Sequence, residues 1–115
     1  MNKHYLIICC IISLYLLPPQ VNAFNIAQNI CEYIAVDDKK RLRQLLKANH
    51  LKIRKLYSDI SCNGKTMLEF SAERNAKEVS ELIVKKLPKR ILKESLPAIE
   101  ASSPDIAKLI QERLQ

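Results

Sequence analysis

A chain of 115 residues with 19 Lys and Arg against 12 Asp and Glu carries a formal net charge of +7. Its length suits one domain with one modest core, and a single glycine excludes the glycine-rich loops that cradle phosphates in nucleotide-binding enzymes. The basic balance points toward anionic partners and says nothing about fold.

The first residues have the three parts of a secretory leader in order. Lys3 and His4 precede an apolar run from Tyr5 to Leu17, Pro18 and Pro19 break it, and Val21-Asn22-Ala23 is a small-residue cleavage triplet. The run is shorter than the roughly 20 residues a bilayer span needs, so a leader is favoured over an anchor. The expected division is a leader over residues 1–23 and one domain over residues 24–115, exported to the periplasm or outside the cell. Cleavage leaves 92 residues, with Lys3 the only charge lost and with Cys31 and Cys62 the only cysteines kept. In an oxidising compartment these two most simply form one disulfide; two reduced, buried thiols are the alternative.

From Ile26 onward the apolar residues follow helical spacing, and no stretch alternates as a strand would. Ile26, Ile30, Cys31 and Ile34 share one face of a helix ending near Asp37. Leu42, Leu45 and Leu46 mark the next, with Asp37 or Asp38 near its start. Ile53, Leu56, Tyr57 and Ile60 form a third, short stripe. Cys62-Asn63-Gly64 reads as a turn, because Asn and Gly tolerate a left-handed backbone. Thr66 with Glu69 three residues on predicts a capped helix, and Asn75 with Glu78 predicts a second box opening the following one. Val79, Leu82 and Ile83 supply its stripe, which Pro88 ends near Leu87. A segment with Ile91, Leu92, Leu96 and Ile99 follows. Ser103-Pro104 then opens a last helix carrying Ile106, Leu109 and Ile110.

The helices come in pairs. A shift of about 37 positions lays Val79–Ile83 on Leu42–Leu46, and a further shift of about 27 lays Ile106–Ile110 on the same pattern. Asn63-Gly64-Lys65-Thr66-Met67-Leu68-Glu69-Phe70-Ser71-Ala72, continued through Val84, resembles one ankyrin-type repeat. Met67 and Glu69 depart from that family's usual Pro and His, and the flanking units lack the Gly-x-Thr signature. The resemblance implies a turn at Asn63-Gly64, a Thr66 cap and aliphatics facing the next unit. Over a longer stretch, Asn29 to Val84, the chain resembles a family of small exported bacterial two-cysteine proteins of unknown function, through Cys31, Leu42-Arg43, Leu46, Leu51, Cys62-Asn63-Gly64 and Phe70. That likeness implies a periplasmic location and a disulfide, and it brings no activity with it.

The residues offer little catalytic chemistry. His50, alone after the leader, stands in a polar stretch where a helix C-terminal role is the simpler reading, and hydrolysis needs an oriented base. Two distant cysteines and scattered carboxylates make no metal set, so no metal or other cofactor is expected. What remains is charge. Lys39, Lys40, Arg41 and Arg43 crowd one helix, and Lys85, Lys86, Lys89 and Arg90 crowd the region around Pro88. These eight are the candidate anion-binding residues. Lys47, Lys52, Arg54, Lys55 and Lys93 lie beside them. Nucleic acid is disfavoured, because the aromatics fall near apolar stripes rather than among the basic residues.

The sequence therefore predicts an all-α domain of short antiparallel helix pairs, tied by Cys31–Cys62. Its expected role is non-enzymatic: a small exported interaction module that binds a protein partner through its helix-pair surface. Binding of anionic envelope lipid or glycan through the Lys/Arg clusters is the alternative.

Overall fold

The computed structural model describes residues 23–115; the expected leader, apart from Ala23, lies outside them. Among the described residues seven α-helices make up the fold: α1 (Ala23–Ala35), α2 (Lys39–Ala48), α3 (Ile53–Leu56), α4 (Met67–Glu73), α5 (Lys77–Lys86), α6 (Lys89–Ser102) and α7 (Pro104–Leu114). A short 3-10 turn, Tyr57–Asp59, continues α3. No strand forms among the described residues, so the domain is all-α as the periodicity required.

Each helix buries the stripe its spacing marked. Ile30 and Ile34 of α1, Leu42 and Leu46 of α2, and Val79, Ile83 and Val84 of α5 are buried in one continuous core with Leu92, Ile99, Ile106 and Ile110. Long α-helix i, i+4 rows place such side chains on one face, and their removal from water is the main force holding the pairs together. Pairing follows a simple order: α1 packs on α2, α4 on α5, and α6 on α7. Between pairs, α1, α4 and α6 touch in sequence to form one layer, while α2, α5 and α7 form the other. The small α3 rests against α5.

Turns set this order. Asp37, His50 and Asn75 all have positive φ, 55°, 54° and 53° respectively, a region that Asn, Asp and His enter more readily than other side chains. After each, the chain closes the preceding helix with paired backbone bonds: Asp38 N–H to the Tyr33 carbonyl, Leu51 N–H to Leu46, and Ala76 N–H to Ser71, at 2.8, 2.8 and 2.9 Å. The Asn63-Gly64 turn has φ of 53° and 75° at its two central residues, and Cys62 and Lys65 exchange both backbone hydrogen bonds across it, at 2.8 and 3.0 Å. Cys62 is thereby held facing α1, where it is disulfide-bonded to Cys31 with the Cα atoms 5.6 Å apart.

Two sequence expectations need correction. The left-handed residues Asp37 and Asn75, and the helix starts Lys39 and Lys77, are 38 positions apart rather than 37. Amphipathic stripes fix a repeat register only to within a residue, because a neighbouring row of the helix offers nearly the same spacing. The shift of 27 from Lys77 to Pro104 holds. Asn75 does not open α5 either; its backbone is committed to the left-handed turn, and the N-cap is Ala76, which has no side chain to accept a bond. The helix after Pro88 runs through Pro97, which has no N–H to offer the Lys93 carbonyl. Packing of α6 against both α4 and α7 sustains it past that gap.

The missing cap on α5 is supplied from the previous pair. Asp37 accepts the Val79 N–H on Oδ1 at 2.8 Å and the Glu78 N–H on Oδ2 at 3.4 Å. A carboxylate there satisfies two orphan donors and meets the positive end of the helix. Its neighbour Asp38 caps its own helix, accepting from Arg41 N–H at 3.0 Å, and Thr66 and Ser103 cap α4 and α7. Asp37→Gly keeps the turn's backbone conformation open but removes the cap, and should lower unfolding free energy by about 1 kcal/mol; Asp37→Asn keeps the turn and the shorter bond from Val79 N–H, and should cost under about 0.5 kcal/mol. Chemical denaturation of the two variants checks this. Equal losses would show that acceptance of the α5 donors contributes nothing.

Candidate functional site

His50, the residue with which a hydrolytic site would begin, is exposed on the turn closing α2, where its backbone N–H donates to the Lys47 carbonyl at 3.2 Å. Cys31 and Cys62 are joined to each other. Among the described residues no group of three His, Cys, Asp or Glu side chains comes together as a metal set.

Stacking does bring the cations together. A groove of about 1060 Å³ runs between α2, the α3 segment and α5. One wall is α2, contributing Lys39, Lys40, Arg43 and Lys47. Lys52 and Arg54 close one side, Lys85 and Lys86 come from the last turn of α5, and Arg113 arrives from α7. These nine cations face two carboxylates, Glu78 and Glu81. The floor is hydrocarbon: Leu46, Ile53 and Leu87 are buried, and Leu51, Leu82 and Pro88 are partly exposed.

The arrangement follows from helix geometry. Lys39, Arg43 and Lys47 are spaced i, i+4, i+8, so one row of α2 is cationic from end to end. That row flanks the one that buries Leu42 and Leu46, and it faces α5 because α2 and α5 are neighbours in the second layer. Lys85 and Lys86 also sit where the negative end of the α5 dipole favours positive charge. Arg113 donates from Nη2 to the Leu87 carbonyl at 3.5 Å, and it is half-buried. Among the described residues, none of the nine forms an ion pair with a carboxylate. The pairs that do form are Arg41–Asp38, Lys65–Glu73, Lys77–Asp105 and Arg90–Glu94, all away from the groove's cations.

Of the eight basic residues singled out from the sequence, the groove unites Lys39, Lys40, Arg43, Lys85 and Lys86. Arg41 is turned to Asp38 at 3.4 Å, Arg90 to Glu94 at 3.2 Å, and Lys89 lies outside the lining. On a helix, positions two apart point to different sides, so a run of adjacent cations cannot all reach one surface. Arg113 carried no sequence signal beyond its charge; only the return of α7 alongside α5 places it there. The groove's lining includes no aromatic side chain: Tyr57 and Phe70 are in the core and Tyr33 packs against it.

No helix among the described residues is long and apolar enough to cross a membrane. No curated protein and no solved structure matches the chain. One family model does match, over residues 30–94. That span holds α2, α3, α5 and eight of the nine groove cations, with Arg113 outside it. By this match the chain belongs to the family described as "Protein of unknown function (DUF3718)".

Proposed function

We propose that the protein is an exported, non-catalytic interaction module whose basic groove holds an anionic partner. The observation that carries this reading is the convergence of nine cations from four chain segments on one concave surface, with no carboxylate among the described residues paired to any of them. Like charges so gathered repel one another and cost stability; a ligand that neutralises them recovers that cost on binding. The leader-like first 23 residues and the Cys31–Cys62 bond support the exported half of the proposal. Two-layer stacking of helix pairs, with the Asn63-Gly64 turn and the Thr66 cap, supports an ankyrin-type reading of the scaffold, a class of stack built for contact surfaces rather than chemistry.

The experiment is a titration of the folded protein with a labelled oligoglutamate. Binding should weaken steeply between about 0.1 M and about 1 M salt, as the screening length falls from about 10 Å to about 3 Å. Arg43→Gln with Lys86→Gln should weaken it about tenfold, two exposed ion pairs at under about 1 kcal/mol each. Arg41→Gln with Lys89→Gln removes the same net charge outside the groove and should leave affinity within about twofold. Equal losses in the two double variants would defeat the groove as the site.

A further inference from the structure

The groove's lining is more specific than its charge. We infer that its ligand is an acidic peptide segment of another protein, one with apolar side chains interspersed among its carboxylates. This rests on the reading of the groove as an anion site and names the class of anion.

Three observations lead there. First, the floor between the cationic walls is apolar, and Leu51, Leu82 and Pro88 reach it partly exposed. A uniformly charged polymer has nothing to lay on that hydrocarbon, whereas a peptide side chain such as Leu covers it and leaves water. Second, Glu78 and Glu81 stand in the α5 wall ahead of Lys85 and Lys86. Closely spaced phosphates or sulfates would be repelled along that wall, while a peptide offers backbone N–H groups that carboxylates accept. Third, three of the nine cations are arginines, Arg43, Arg54 and Arg113, whose planar forks suit the two oxygens of a carboxylate. Arg113 is held at its place by the Leu87 carbonyl, 3.5 Å away. At about 1060 Å³ the groove is at the upper end of small-molecule sites, about 300–1,000 Å³, as a segment of several residues would require.

The test compares four probes on the full folded domain at one salt concentration: an oligoglutamate, a peptide of equal charge with leucines interspersed, a heparin oligosaccharide, and phosphatidylglycerol vesicles. The leucine-containing peptide should bind about tenfold more tightly than the oligoglutamate, the gain expected from covering two small apolar patches. Leu82→Ser should remove most of that advantage, bringing the ratio of the two peptides' affinities close to one; Leu51→Ser serves if the first variant unfolds. Equal affinity for the two peptides, or tighter binding to heparin or to vesicles with loss in Arg43→Gln/Lys86→Gln, would overturn the peptide assignment while leaving the groove as an anion site. Absence of salt-dependent binding to every probe would overturn the groove itself.

Discussion

Reduction of the Cys31–Cys62 bond, or replacement of both cysteines by alanine, should lower the free energy of unfolding by about 3–4 kcal/mol. The two residues are 31 apart in sequence, and an uncut loop of that length has much conformational freedom to regain in the unfolded chain. In the native state the bond fixes α1, the end member of its layer, to the turn that precedes α4. Without it α1 is held by its packing on α2 and α4, chiefly through Ile30 and Ile34. A domain of this size is stable by about 5–10 kcal/mol, so the loss is a large share of the whole. Urea denaturation with and without reductant measures it: at a slope of about 1–1.5 kcal/mol/M the midpoint should fall by about 2–4 M. Amide exchange should quicken first in α1, the helix the bond anchors. A midpoint unchanged by reductant would mean the sulfurs are not joined in the native protein.

Ser71→Ala should cost about 2 kcal/mol, far more than its single lost oxygen implies. Ser71 and Ser80 are both fully buried between α4 and α5. Ser80 Oγ donates to Ser71 Oγ at 2.8 Å, and Ser71 Oγ donates in turn to the Leu68 carbonyl at 2.8 Å. The chain of bonds has a direction. Truncating Ser71 strands the Ser80 hydroxyl in the core, at a desolvation cost of about 1–3 kcal/mol. Truncating Ser80 leaves Ser71 still bonded to its carbonyl, so Ser80→Ala should cost under about 1 kcal/mol. The double variant should lie close to Ser80→Ala alone, a coupling that a double-mutant cycle reads directly. Equal costs for the two single variants would show that Ser80 turns to another acceptor when Ser71 is gone.

Much of the fold is legible in the residues. The stripes from Ile30 to Ile110 mark the helices, and Asn63-Gly64, Thr66 and Ser103-Pro104 mark turns and caps, because each acts through neighbours within a turn or two of chain. What eluded the sequence involves a second segment. Asn75-x-x-Glu78 has the spacing of a capping box, yet the α5 donors are met by Asp37, about 40 residues away. Packing on two helices likewise carries α6 through Pro97.

The candidate site divides the same way. Composition alone established that the chain is basic, and local crowding picked out Lys39 to Arg43 and Lys85 to Arg90. By itself the sequence determined an all-α domain, its helix pairs, its turns and the two cysteines available to tie it, because helical periodicity, capping and backbone preference are written into short stretches. Only the tertiary structure decided which cations work together. Stacking α5 beside α2 and bringing α7 back along α5 joins Arg43, Lys86 and Arg113 over one apolar floor, and turns Arg41 and Arg90 away to carboxylates of their own. The physical reason is that electric fields add through space, whatever the order along the chain.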